Sequence, residues 1–403
     1  MKLHRNLALG ICSGLEDTLI EKHPAADVLK KLLKSNPGWG SRDRRTIAQV
    51  FYDVIRQKRF FQALTGSEST EVNLWNLMAC WMVLNDCPLP DWNEFKNIDA
   101  DEIISKAPVL VKERKYKYSL PDWLDQMGLE AFGKTSWEKE IASLNTPANL
   151  IIRVNTLKTT VEKLNTLLEK KYNIITHTIP HYDDALLFEK KYPLQGIKEY
   201  REGFFEVQDA NSQKVAPWLQ PEAGKLYLDA CAGAGGKSLH LANLTHDNAT
   251  IMAVDLYPAK LDELRKRCYR NGIHSVKTIA VEEEEILASL DNHADGVLID
   301  APCSGMGVLK RNPDTKWNIT PERLIEIVET QKEILQTYAS KVKKGGALVY
   351  ATCSILPVEN QLQIADFLRS KLGSSFELEK EHTYFSHETG FDGFYCARLI
   401  RKM

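Results

Sequence analysis

The sequence has no apolar run of the roughly 18–20 residues that a membrane-spanning helix needs, which excludes a helical integral membrane protein. Cysteine is sparse, at eight in 403 residues, and no two form a CxxC pair. That excludes a disulfide framework and a zinc knuckle, and leaves a cytoplasmic protein with free thiols and no metal as the expectation. An excess of one charge is also missing: 52 Lys+Arg stand against 54 Asp+Glu, a net −2. Taken alone, that balance argues against a protein that binds nucleic acid over its whole surface. Residues 1–14 contain a short apolar stretch without the other features of a signal peptide. What is present is a globular composition, 43% hydrophobic and 26% charged, in a chain long enough for two or three domains.

The charge is unevenly placed. Residues 1–60 carry twelve Lys/Arg and six Asp/Glu, a local +6 that leaves −8 for the remainder. The basic part runs from Arg42 to Arg59 and includes Arg44, Arg45, Arg56 and Lys58. A basic helical face of this kind reads equally as a solvated charged surface and as a sequence-independent contact for nucleic acid that weakens with salt.

Residues 1–115 read as helical. Val28, Leu29, Leu32 and Leu33 recur at helical spacing, as do Ile47, Val50, Phe51, Val54 and Ile55. Ser41, followed by Asp43, predicts an N-cap. Trp75, Met78, Trp81 and Met82 predict a buried helix face, and residues 112–118 read as linker. Residues 119–207 follow as a small α+β module, with strands at 150–155, 174–176, 185–188 and 204–207 and a helix at 160–171. From 208 to 403 strand and helix alternate. Strands at Leu226–Asp229, Thr250–Asp255, 276–281, 297–300 and 347–351, with helices at Pro258–Asn271 and 321–342, predict a doubly wound parallel α/β sheet.

Between the first of these strands and its helix lies a glycine-rich turn: Cys231, Ala232, Gly233, Ala234, Gly235, Gly236, Lys237 and Ser238. The glycines permit a sharp turn and close approach of a ligand to the backbone. Ser238 stands where the dinucleotide fingerprint needs glycine, and Cys231 where the P-loop does. Asp255, ending the second strand, is placed to accept both hydroxyls of a ribose. The turn, Asp229 and Asp255 therefore suit S-adenosylmethionine, and the failed fingerprint disfavours NAD. An acid near an adenine could come from Glu282–Glu285, although four consecutive glutamates also read as a solvated helix start.

Cys303 follows Asp300 at the end of the fourth strand, and Cys353 follows Ala351 at the end of the fifth. Ligands bind outside the carboxyl ends of strands in such sheets, so both thiols should face the crevice of the glycine turn. At these motifs the sequence resembles the Sun/Fmu-type RNA cytosine-C5 methyltransferases, which use S-adenosylmethionine. The matching stretches are 203–213, 231–238, 300–307, 311–317, 351–355 with Glu359 and Asn360, and 392–395. Residues 153–158 look like the family's upstream RNA-binding module, and residues 1–115 resemble, more distantly, a NusB-like helical domain. Ala234 departs from the proline usual in bacterial members, and Glu282 or a neighbour stands for the usual third-strand aspartate.

The resemblance implies a Rossmann-like class I methyltransferase domain, an RRM-like module before it and an RNA partner, ribosomal RNA favoured over tRNA, with the enzyme acting as a monomer. It assigns the cofactor to residues 231–237 with Asp255, Glu282 and Asp300, makes Cys353 the nucleophile at C6 of cytosine and gives Cys303 the release of product. Asp300 would hydrogen-bond the base near N3. Lys237 could lower a thiol pKa or merely cap its helix. In DNA cytosine-C5 methyltransferases the equivalent of Cys303 is the nucleophile, a rival assignment that leaves Cys353 without a role. Arg311, Lys316 and Trp317 could hold phosphate and stack near the site, with Trp317 equally readable as core.

Overall fold

The computed structural model describes residues 3–67 and 72–403. The chain forms two compact units, residues 1–147 with 308–323 and residues 148–307 with 324–403. Among the described residues no helix is long and apolar enough to cross a membrane.

The first unit is helical. In the helix Ser41–Arg56 the periodic residues Ile47, Val50, Phe51, Val54 and Ile55 are all fully buried, and they share a core with Met78 and Trp81 of Leu74–Leu84. Each such side chain contributes about 1.5–3 kcal/mol by leaving water. The cap differs from expectation: Ser41 is already helical, and Gly40 is the N-cap, its N–H donating to the Asp43 carboxylate at 3.2 Å. The expected linker at 112–118 contains a short helix, Arg114–Lys117. A long helix, Asp122–Leu144, then carries the unit on to Pro147. Gly133, at φ 70°, bends that helix, so its buried Leu124, Trp137, Ile141 and Leu144 do not keep one helical period along the sequence.

The second unit holds two sheets. The smaller has order β2-β3-β1-β4, all antiparallel, from β1 (Ile151–Val154), β2 (Thr176–Ile179), β3 (Tyr182–Phe188) and β4 (Phe205–Val207). One strand shifts: the run at 174–176 was expected extended, but pairing with β3 begins only at Thr176. The larger sheet contains β5 (Leu226–Asp229), β6 (Thr250–Asp255), β7 (Val276–Ala280), β8 (Ala294–Asp300), β9 (Val342–Thr352), β10 (Phe376–Tyr384) and β11 (Phe394–Arg401). Its order is β10-β11-β9-β8-β5-β6-β7.

Five strands, β5 to β9, are parallel as expected, and their buried Leu228, Val254, Val297, Ile299, Leu348 and Tyr350 form the core. The sheet is not purely parallel, because β11 runs antiparallel to both β9 and β10. Chain order reverses at β5, which lies between β6 and β8; such a switch point opens a crevice at the strands' carboxyl ends.

Candidate active site

Register puts the two cysteines side by side. Asp300 pairs with Ala351 across β8 and β9, and Cys303 and Cys353 stand three and two residues beyond that pair. Their Sγ atoms are 3.0 Å apart. The hydrogen bond with Cys353, followed by burial, pushes the Cys303 thiol well up. Either sulfur can donate in this contact, so the geometry brings the two thiols together without ranking them.

Lys237 and Asp300 also meet, with Nζ 2.5 Å from Oδ2. Burial alone would lower the lysine pKa, but the Asp300 carboxylate outweighs it and the net shift is upward, so the ammonium form persists. The Lys237 ammonium lies 5.5 Å from the Phe394 ring centroid. Its two sequence readings are a charge that lowers a thiol pKa and a helix cap; the contact the structure gives it is with the Asp300 carboxylate.

The glycine turn is built as its residues require. Gly235, at φ +86°, stands so close to Leu264 that a Cβ would lie 2.0 Å from Cδ1. Gly233, at φ +54°, has open space where a Cβ would be. Backbone bonds from Ala230 N to Leu298 O and from Ala232 N to Val254 O, both 2.8 Å, hold the turn to the neighbouring strands. Arg267 donates to Ala234 O at 2.6 Å and pairs with Glu206 at 2.8 Å. Asp255 accepts from Gly233 N at 2.8 Å and Tyr257 N at 2.9 Å, which leaves each carboxylate oxygen a further lone pair.

Asp229 is fully buried. Its Oδ2 accepts from Ser238 at 2.6 Å, while Oδ1 has no hydrogen-bond partner among the described residues. Burial pushes this carboxyl up to about 7. An orphaned buried carboxylate oxygen beside an open glycine turn is the provision a cationic ligand with ribose hydroxyls needs, so the residues fit S-adenosylmethionine. Burial also pushes the Cys231 thiol up, making it an inert part of the turn's wall. Glu282 lies exposed two residues beyond β7; Glu283 accepts from Ala280 N at 2.7 Å, and the side chain of Glu284 lies outside the described set.

Other expected contacts have different roles. Arg153 and Asn155, read as part of an RNA-binding module, are each 1% exposed. Arg153 donates to Gln208 at 2.7 Å and to Asn243; Asn155 donates to Gly203 O at 2.8 Å and Asn271 O at 3.0 Å. Lys158 donates to Arg270 O at 2.7 Å, at the end of the helix Pro258–Asn271. These residues fasten the small sheet to its neighbour rather than face a ligand.

Lys316 is likewise 1% exposed, with Nζ on Arg56 O at 2.8 Å, Tyr118 O at 3.1 Å and Asn145 Oδ1 at 3.1 Å. Trp317 donates to Ile55 O at 2.7 Å and packs on the helical core. Both are structural members of the first unit: for Lys316, with three internal acceptors for its buried ammonium, this corrects the phosphate-holding reading, and for Trp317 it selects the core reading. The basic stretch is partly internal too. Arg44 donates to Trp39 O at 2.9 Å, Arg56 to Lys310 O at 2.9 Å, and Arg59 pairs with Asp122 at 2.7 Å, while Arg42 and Arg45 stay exposed.

Residues 216–400 match the family described as 16S rRNA methyltransferase RsmB/F, and residues 120–195 match a Methyltr_RsmF/B-like, ferredoxin-like domain. The chain is 32% identical over 290 residues to ribosomal RNA small subunit methyltransferase B of Vibrio cholerae, covering 71% of this chain and 66% of that protein. It is 32% identical over 295 residues to the protein of that name from Escherichia coli, covering 71% and 67%. The match thus spans about two thirds of the length of these curated relatives. Among solved structures, PH0851 superposes with TM-score 0.81 at 24% identity, over 99% of this chain and all of that one. NSun6 from Pyrococcus horikoshii with SFG superposes with TM-score 0.64 at 21% identity, over 70% of this chain and 98% of that one. At these identities the structures establish likeness of fold.

Proposed function

Because this chain belongs to the 16S rRNA methyltransferase RsmB/F family, we propose that it transfers a methyl group from S-adenosylmethionine to C5 of a cytosine in RNA. Small-subunit ribosomal RNA is the favoured substrate. The observation that carries the reading is the thiol pair, Cys303 and Cys353 with Sγ atoms 3.0 Å apart at adjacent strand ends. A protein that only bound RNA would have no use for two thiols in contact beside a lysine–aspartate pair.

C5 of cytosine is a weak nucleophile, so a thiolate must first add to C6. Cys353 takes that part by the resemblance of Ala351–Ile355 to the family's motif, and Cys303 stands in contact with it. Asp300 would face the base near N3, and the proton that it shares with Lys237 at 2.5 Å is the one available to offset the negative charge that develops there during addition. Asp229, Gly233, Gly235 and Asp255 hold the cofactor, with Glu282 the candidate near its adenine. S-adenosylmethionine, when bound, supplies an electrophilic methyl group for the activated C5. Loss of the C5 proton then breaks the C6–sulfur bond and restores the ring, with Cys303 assisting release. The target base must lie in a loop or be unstacked before a thiol can reach C6.

The test supplies methyl-labelled S-adenosylmethionine with 16S rRNA or with tRNA and identifies the labelled nucleoside by mass spectrometry. Label in 5-methylcytosine of the ribosomal RNA is expected. Label confined to tRNA would change the substrate, and RNA binding without label would refute the enzymatic reading.

A further inference from the structure

Both cysteines are followed by serine, and both serines turn to the same buried group. Ser304 Oγ donates to Glu359 Oε2 at 2.6 Å, and Ser354 Oγ donates to the same oxygen. The other oxygen, Oε1, accepts from Ser304 N at 2.7 Å and from Gln331 Nε2 at 3.1 Å. Each serine hydroxyl in turn accepts from the backbone two residues on, Met306 N at 3.3 Å and Leu356 N at 3.2 Å. The two cysteine turns are thus built alike and joined through one side chain.

Four donors face the two oxygens of Glu359, the pattern a carboxylate accepts. The residue is fully buried and both its carboxylate oxygens are taken up by these internal donors, so it holds protein groups rather than a ligand. Its place is fixed from several sides. Tyr350 OH donates to Glu359 O at 2.8 Å. Gln331 also donates to Pro302 O at 3.0 Å, next to Cys303. Asn360 accepts from Thr352 Oγ1 at 2.5 Å and donates to Ser354 O at 2.9 Å, on either side of Cys353.

We propose that Glu359 is a positioning residue whose buried carboxylate ties the turns of Cys303 and Cys353 together and so holds their sulfur atoms in contact. The inference rests on the reading above only in giving that contact a chemical purpose. Glutamine at 359 keeps the shape but puts an amide where one acceptor oxygen stood, so the two donors on that oxygen lose their acceptor. Release of either turn moves one sulfur relative to the other, and a misplacement of about 1 Å costs on the order of 10²-fold in rate.

The experiment compares wild type with Glu359→Gln, Ser304→Ala and Ser354→Ala in the full chain. The first measurement is closure of a Cys303–Cys353 disulfide by diamide, in which two S–H bonds are lost, an S–S bond forms and both hydrogens pass to the reagent's N=N bond. The second is kcat and KM for methyl transfer. Glu359→Gln should close the disulfide about 10-fold more slowly or worse and lower kcat by about 10²-fold, with KM for S-adenosylmethionine within about 3-fold. The serine variants should fall between, and they decide the matter if Glu359→Gln does not fold. The alkylation midpoint of Cys303 should also move to lower pH, since the charge of Glu359 is one cause of its elevation. Wild-type closure and kcat in Glu359→Gln, or in both serine variants if it does not fold, would overturn the proposal. A wild-type chain that transfers no methyl group but closes its disulfide fast, while Glu359→Gln closes it slowly, would uphold the positioning role and reject the catalytic reading.

Discussion

Gly235→Ala tests how the cofactor turn is made. At φ +86° a residue with a Cβ loses about 1–2 kcal/mol relative to glycine. The new methyl would also stand 2.0 Å from Leu264 Cδ1 and 3.0 Å from Cγ. Leu264 is fully buried and cannot swing into solvent, so the overlap adds about 1–3 kcal/mol. The total, about 2–5 kcal/mol, lowers the unfolding midpoint of the second unit by roughly 5–15 °C, readable by scanning calorimetry. Gly233→Ala is the control. Its φ is +54° with nothing within 4 Å, so it loses only the backbone part while its methyl enters the open space of the turn. It should keep most of its stability and bind S-adenosylmethionine at least about 10-fold more weakly. Adding Leu264→Ala to Gly235→Ala should recover the overlap part but not the backbone part. A Gly235→Ala protein that melts like wild type, or a Gly233→Ala protein with unaltered affinity, would refute this account of the turn.

Two further outcomes follow from buried charge. Burial raises Asp229 to about 7 in the folded chain, so its contribution to stability is fully present below the unfolded value near 3.9 and is lost as pH rises through about 7. A cationic ligand needs the carboxylate form. Affinity for S-adenosylmethionine should therefore climb up to about tenfold per pH unit toward 7 and level off above, and Asp229→Asn should bind weakly with no such slope; titration calorimetry across that range reads both. Arg153→Met should destabilise the second unit by about 2–4 kcal/mol by leaving Gln208 and Asn243 unmatched in the interior. It should leave the salt dependence of RNA binding unchanged in a filter-binding assay, whereas a lower slope would return Arg153 to the RNA interface.

The parts of the fold that were legible in the sequence are those where pattern and burial coincide. The inner parallel strands are largely buried and read as apolar runs: β5 and β6 were placed to the residue, as was the helix Pro258–Asn271. The hairpin of β10 and β11 was missed, because β10 lies at the sheet edge with its middle exposed and carries mostly polar residues. The helix Asp122–Leu144 was missed because a left-handed glycine divides its periodicity. That Cys303 and Cys353 meet followed from their places at strand ends, since register decides which ends are neighbours; their roles came from the family resemblance. Glu359 was named with the family's motif, but its role escaped because no local signal marks a carboxylate whose partners stand 55 and 5 residues away in sequence. Lys316 and Arg153 were misjudged for the opposite reason: a basic side chain reads as surface until its internal acceptors are seen.

The central claim is that Cys353 attacks and Cys303 releases. The most direct test incubates Cys303→Ala and Cys353→Ala separately with substrate RNA and S-adenosylmethionine and looks for a covalent protein–RNA complex on a denaturing gel. Cys303→Ala should accumulate the complex, because addition proceeds and release does not, and Cys353→Ala should form none. A complex that accumulates on Cys353→Ala and is absent from Cys303→Ala would exchange the two roles and contradict the account.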